Sequence, residues 1–248
     1  MATESRLPMS RRERPAKPAL TRARIVAAAV DVMRAEGLEH VTMRRLAQEL
    51  DTGAASLYVY VRNTAELHAA VLDELLGAVD LSPVPAAGEW RDRLVQVLAS
   101  YTLVLFEHPS LARSALVARP SGPRYLGLVE ALLALLSEGA VPGDRAAWAV
   151  DLLLQFATTN AAEHGTRGLA MDAREEENAL EAALRAASPL THPHITALGT
   201  ELLSGPGPDR LAWGFSVLIN GILETPRPEP RTPQEPLDQM ARHQAEGH

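Results

Sequence analysis

"LAQELDTGAASLYVYV", Leu46 to Val61, is the stretch on which the reading of this chain turns. Together with Met43, its first residues place Leu46, Ala47 and Leu50 at helical spacing. The pattern halts at Asp51-Thr52-Gly53, three turn-forming residues. It resumes from Ala54 to Val61, barely two turns, and carries Tyr58 and Tyr60, two of the four tyrosines in the chain. Two short helices joined by a tight three-residue turn form the helix-turn-helix arrangement, whose second helix enters the DNA major groove.

The second helix divides by face. Ala54, Leu57 and Val61 repeat at i, i+3, i+7 and should pack inward, which leaves Ala55, Ser56, Val59 and Tyr60 outward. Small side chains allow close approach to a groove: Ala and Val can meet thymine methyls and Ser can donate or accept. The Tyr58 and Tyr60 hydroxyls can reach phosphates, contacts that fix register without reading sequence. Burying both rings on so short a helix would require partners for both hydroxyls, so they are expected outside.

The flanking sequence supports this frame. A stripe of Ile25, Ala28, Ala29, Val32 and Met33 predicts a helix from about Thr21 to Glu36, ended by Gly37 in a left-handed C′ conformation. Thr42 is placed as N-cap of the next helix. "NTAE" at 63–66 reads as a capping box, Asn63 with Glu66, opening a fourth helix through Leu76.

Residues 21–77, "TRARIVAAAVDVMRAEGLEHVTMRRLAQELDTGAASLYVYVRNTAELHAAVLDELLG", resemble the DNA-binding region of the TetR family of bacterial transcriptional regulators, nearest its tetracycline-repressor-like branch with "LYxHVxNKxEL". By position the resemblance implies that Thr42 touches phosphate and Arg44 reaches a guanine. It puts Ala54, Ala55, Ser56, Val59 and Tyr60 at the groove and Tyr58 on the DNA backbone. Two positions depart from the family pattern. Asp51 stands where glycine is usual, and Thr64 where a lysine is usual, so that phosphate contact would be either lost or replaced by the amides of the fourth helix's N-terminus.

With no cysteine, the 248-residue chain has no disulfide framework and no thiolate chemistry. The net charge of −7 is unevenly spread. Residues 1–62 hold eleven Arg and Lys against seven acids, and the remainder thirteen against twenty-four. A basic DNA-facing module joined to an acidic one fits that asymmetry. No signal-peptide core and no membrane-length apolar run is present, so a cytoplasmic protein without membrane contact is expected. Residues 1–17 read as a disordered basic arm. Arg11, Arg12, Arg14, Lys17 and Arg22 would either enter the minor groove and meet phosphates or stay solvated.

Alanine- and leucine-rich helical patterns without β alternation predict an all-α fold of about nine to ten helices. Its expected parts are an N-terminal three-helix helix-turn-helix domain with a connecting fourth helix at 18–81, an antiparallel helical bundle at 88–224 and a Pro-rich disordered tail at 225–248. Breaks are expected at "SPVPAAG" (82–88), Pro109, "RPSGP" (119–123), "GAVPG" (139–143), Gly165 to Gly168, "SPLTHPH" (188–194) and "SGPGP" (204–208).

"DRLAWGFSVLINGIL", Asp209 to Leu223, is apolar nearly all round and must be buried. The resemblance pairs it with a helix over about Asp144–Glu163 and with both helices of a second subunit. The result would be a homodimer on a two-fold pseudo-palindromic double-stranded operator. A central core helix within a monomer is the other reading.

The resemblance also implies a small-molecule effector, largely apolar, in the second domain. Candidate lining residues are Tyr101, Phe106, Tyr125, Gln155, Phe156, Thr158, Thr159, Asn160 and His164, polar groups on otherwise apolar helices. Asp151, Gln155 and Thr158 are equally spaced as a solvent stripe. No cofactor or metal is expected, and no enzyme: HExxH, G-x-S-x-G, P-loop and G-x-G-x-x-G are all missing, and "HPH" at 192–194 reads as a loop. The expected function is a sequence-specific regulator, a repressor released from its operator by an effector. The alternative is an effector-independent DNA-binding regulator or activator of the same fold.

Overall fold

The computed structural model describes residues 19–116, 120–169, 173–199 and 201–228. The basic arm and most of the Pro-rich tail lie outside them. Eleven α-helices and no strand occur among the described residues.

Helix α1, Arg22–Glu36, starts at Thr21, whose Oγ1 accepts the Arg24 N–H at 3.2 Å. It ends at Gly37, φ 99°, which donates its N–H to Met33 O at 2.9 Å. After a 3₁₀ turn at Leu38–His40 comes α2, Met43–Glu49, capped by Thr42 Oγ1 on the Arg45 N–H. Its end closes as a Schellman motif: Thr52 N–H bonds Ala47 O at 2.9 Å and Asp51 N–H bonds Gln48 O at 3.1 Å. Asp51 holds the left-handed position at φ 47°.

The expected helix over 54–61 is shorter. Helix α3 is Ala54–Leu57, and the chain continues as a turn in which both Tyr60 and Val61 donate N–H groups to Leu57 O. Helix α4, Thr64–Leu75, begins with Asn63 Oδ1 accepting the Glu66 N–H at 2.8 Å. The expected reciprocal half of the capping box is displaced by one residue, because Glu66 Oε2 accepts the N–H of Arg62 at 2.9 Å and its Nε at 3.1 Å.

After a 3₁₀ turn at Leu76–Ala78 and the loop through Glu89 come α5 (Trp90–Phe106), α6 (Pro109–Ala115), α7 (Pro123–Glu138), α8 (Gly143–Leu169), α9 (Ala173–Arg185), α10 (Pro193–Leu198) and α11 (Gly207–Glu224). The helix count exceeds the nine to ten expected because prolines treated as breaks start helices. Pro109, Pro123 and Pro193 open α6, α7 and α10, where a missing N–H costs nothing. "HPH" is accordingly not a loop; His192 is the N-cap of α10.

The break expected at Gly165–Gly168 is not one either. Helix α8 runs through it to Leu169, and a Cβ on Gly165 would lie 2.3 Å from Pro109 Cβ. The glycine is there so that α6 can approach, a packing demand that looks like punctuation in sequence.

One continuous core joins both halves, from Ile25 and Leu67 through Leu72 and Leu76 to Leu94, Leu132, Leu153 and Phe215. Burying each such side chain contributes about 1.5–3 kcal/mol. Helix α4 packs on α1 at one end and on α6 and α7 at the other, so it connects the short-helix domain to the bundle. Helices α5, α7, α8 and α11 pack together in the second half.

Candidate functional site

On α3 and the turn after it, Leu57 and Val61 are fully buried, while Ala55, Ser56, Tyr58, Val59 and Tyr60 are exposed. Val59 is 80% exposed, on the outer surface of a segment anchored from beneath. Ala54 is half-buried and packs on the core, so it faces inward as its spacing suggests and away from the outer surface. Thr42 and Thr64 are exposed at the N-terminal ends of α2 and α4.

The two arginines of α2 are placed in opposite ways. Arg45 forks onto the neighbouring acids: Nη2 to Glu36 Oε1 at 2.5 Å, Nε to both Glu36 oxygens at 3.1 Å and Nη1 to Glu49 Oε2 at 2.8 Å. These bonds hold the Glu36 carboxyl below its ordinary range and the guanidinium above its own. Arg44 is exposed and forms no ion pair among the described residues. One positive fork is thus committed to structure while its neighbour keeps all five donors. Arg62 is tied to Glu66, whose carboxyl is lowered chiefly by the Arg62 backbone N–H and then by its side chain.

In the second half the candidate effector residues separate into groups. Tyr101 is buried, and its hydroxyl lies 2.8 Å from Thr158 Oγ1. Thr158 spends its proton on Leu154 O at 2.8 Å, so Tyr101 is the donor between them. Burial pushes the Tyr101 hydroxyl up to about 12, against the pull of the Thr158 bond. Tyr125 of α7 lies close enough to add to that rise.

Phe156 stands two residues from Thr158, roughly 200° round the helix, and meets Phe215 edge-on at 5.2 Å on the α11 side. Phe106 and His164 rings lie 4.6 Å apart near α6, and Asn160 Nδ2 donates to Phe156 O. Gln155 and Thr159 are exposed on the same stripe of α8 as Trp148 and Leu152. The structure therefore brings Tyr101 and Thr158 together and leaves Gln155 and Thr159 outside.

The expectation that Asp209–Leu223 is buried all round does not hold within the chain. Of α11 only Phe215, Ile219 and Ile222 are buried, because α5 and α8 cover one side of it, and the residues of the outward stripe were not singled out in the sequence. Trp148 (54% exposed) and Leu152 on α8, and Trp213 (71% exposed) and Val217 on α11, are exposed on two helices that pack together. The i, i+4 spacing of Trp148 with Leu152 and of Trp213 with Val217 was the available signal. No helix among the described residues is long and apolar enough to cross a membrane, and no cluster of three metal-ligating side chains occurs among them.

Residues 82–225 match the family description "Tetracyclin repressor-like, C-terminal domain", and residues 25–71 match "Bacterial regulatory proteins, tetR family". The chain belongs to the TetR family. Within it, an HTH-type transcriptional regulator of Saccharopolyspora erythraea is 36% identical over 121 residues, 49% of this chain and 51% of the relative. The HTH-type transcriptional repressor DrrR1 of Streptomyces coeruleorubidus is 39% identical over 48% of this chain and 44% of its own. The chain spans about half the length of these curated relatives.

Among solved structures, the Streptomyces candidate transcription regulator SCO7704 is 59% identical, with TM-score 0.72 over 86% of this chain and 100% of its own. ActR of Streptomyces coelicolor in complex with actinorhodin is 34% identical, with TM-score 0.74 over 83% and 96%. The all-α chain thus joins a helix-turn-helix half, matched by the family's N-terminal description, to a tetracycline-repressor-like second domain.

Proposed function

We propose that this TetR-family protein is a homodimeric, cytoplasmic repressor that leaves its operator when a small molecule binds between α5, α7 and α8. The observation that carries the DNA half is the exposed surface of Ala55, Ser56, Tyr58, Val59 and Tyr60 over fully buried Leu57 and Val61, beside the uncommitted Arg44. Arg44 reads a guanine, Tyr58, Thr42 and Thr64 meet phosphates, and the small residues lie against thymine methyls. Ala54, half-buried against the core at the start of α3, seats that helix rather than meeting the groove.

The apolar stripe of Trp148, Leu152, Trp213 and Val217, with Gln155 and Thr159 at its polar edge, supports a four-helix interface between two copies. A second copy places two reading heads on a pseudo-palindrome. The buried Tyr101–Thr158 hydroxyl pair between α5 and α8 supports an effector site that is apolar with a few polar anchors. Phe106 and His164, in ring contact near α6, are the next candidates, whereas Phe156, which packs on Phe215 toward α11, and Asn160, which bonds Phe156 O, lie outside it. An effector favouring the dimer geometry with misplaced reading heads weakens operator binding by its differential affinity for the two states.

The experiment is fluorescence anisotropy on DNA upstream of the protein's own gene and on a scrambled duplex, at several salt concentrations. Actinorhodin, bound by the ActR neighbour, is the first effector probe. Specific binding that survives near-physiological salt is expected. Equal, salt-labile binding to both duplexes contradicts the regulator reading, and specific binding that no small molecule alters favours the effector-independent alternative.

A further inference from the structure

Helix α4 ends against the first turn of α7 in an arrangement that neither helix explains alone. Gly122, the N-cap of α7, has no side chain with which to cap it. The cap comes from α4, where the buried Asp73 accepts the Tyr125 N–H through Oδ1 at 2.9 Å. A Cβ on Gly122 would fall 2.1 Å from Asp73 Cγ, so the missing side chain is the space the carboxylate occupies. The next residue repeats the link: Glu74 takes a two-point contact from Arg124, Oε2 to Nη1 at 2.6 Å and Oε1 to Nη2 at 2.8 Å. A Cβ on Gly77, one turn further along the chain, would lie 2.6 Å from Arg124 Nε, so this glycine admits the arginine stem.

Each group is at an end that matters. A carboxylate at a helix N-terminus satisfies an orphan amide and meets the positive end of the dipole. Tyr125, which donates that amide, stands on the helix that packs against α5, where Tyr101 is buried. At its other end α4 opens at Asn63, next to the reading segment that closes at Val61. We propose that Asp73 and Glu74, seated on Gly122 and Arg124, form the joint through which the first turn of α7 sets the position of the DNA-reading helices. Displacement of Tyr125 by a molecule beside Tyr101 pulls on the amide that Asp73 holds, and α4 follows. Asp73 and Glu74 are positioning residues with no contact to DNA or effector. The proposal rests on the effector reading for its trigger, but the joint itself is testable without DNA or ligand.

Because the chain has no cysteine, two introduced thiols label cleanly. Spin labels at Gln48→Cys in α2 and Glu130→Cys in α7, both exposed, report the inter-helix distance distribution by pulsed electron–electron resonance in full-length protein diluted with unlabelled chain. The decisive variant is Asp73→Ala with Gly122→Ser, which gives α7 a cap of its own in the vacated space and cuts the tie to α4. Relative to Asp73→Ala alone its melting temperature should recover, while the distance distribution stays broadened and shifted. Glu74→Arg should broaden it, and adding Arg124→Glu should narrow it again. Distances that return together with stability in the self-capped variant would show a local cap and overturn the joint, as would distributions that none of these variants changes. Failure of the repressor reading appears in the anisotropy assay and leaves these distances as they are.

Discussion

Neighbouring arginines on one helix should fail in opposite ways when removed. Arg45 is held by Glu36 and Glu49 through four bonds of 2.5–3.1 Å, whereas Arg44, one residue earlier, is exposed with no ion pair among the described residues. A bidentate contact from Arg44 to a guanine is worth about 1–3 kcal/mol of discrimination, roughly 5- to 150-fold in operator affinity. Arg44→Ala should therefore lose that factor on the native duplex, change little on a scrambled one, and melt like the unsubstituted protein. Arg44→Lys keeps the charge without the fork, so it too should bind the scrambled duplex as before and should not restore the preference for the native one. Arg45→Ala should lower the melting temperature, since Glu36 loses its partner on the next helix, and leave the ratio between the two duplexes near its starting value. Anisotropy on both duplexes at two salt concentrations, beside thermal circular dichroism, separates these outcomes. The reasoning is refuted if Arg44→Ala binds the native duplex undiminished, or if Arg45→Ala abolishes specificity at an unchanged melting temperature.

Three further outcomes follow from the geometry. Tyr101 ionises only at about 12 in the folded protein against an ordinary 10, so folding stability should hold below pH 10 and fall as pH rises from 10 toward 12; Tyr101→Phe should flatten that fall in denaturant titrations, and an unaltered alkaline profile would contradict it. Ala140 occupies a left-handed position at φ 55° after α7, so Ala140→Gly should stabilise by about 1 kcal/mol, whereas a lower unfolding midpoint would count against the strain argument. Trp213→Glu puts a charge on the apolar α8–α11 face and should yield a folded monomer in analytical ultracentrifugation; a dimer of unchanged affinity would place the interface elsewhere.

Much of this protein was legible from order along the chain, because the relevant contacts span three or four residues. The i, i+3, i+4 stripes of α1 and α2, the caps at Thr21, Thr42 and Asn63, and the outward Tyr58 and Tyr60 all follow from helical periodicity and local hydrogen bonding. The capping box was half readable: Asn63 behaved as its neighbours dictate, but the Glu66 carboxylate found the Arg62 amide.

What the sequence could not rank was glycine and proline as punctuation against glycine and proline as packing. Gly165 and Gly214 lie inside helices because Pro109 and Phe156 press against them; a Cβ at either position would fall 2.3 or 2.6 Å from those rings. Gly139 ends α7 under Trp90, while the left-handed position passes to Ala140. Nor could periodicity divide the polar groups of α8. Thr158 faces Tyr101 and Gln155 and Thr159 face outward only because α5 and α11 occupy particular sides of that helix. The bond from Tyr125 to Asp73 spans 52 residues. Helix identity is set by the spacing of apolar side chains and the reach of a cap, both local. The joint, the hydroxyl pair and the outward stripe depend on which surfaces meet after the chain has closed on itself, and that only tertiary packing decides.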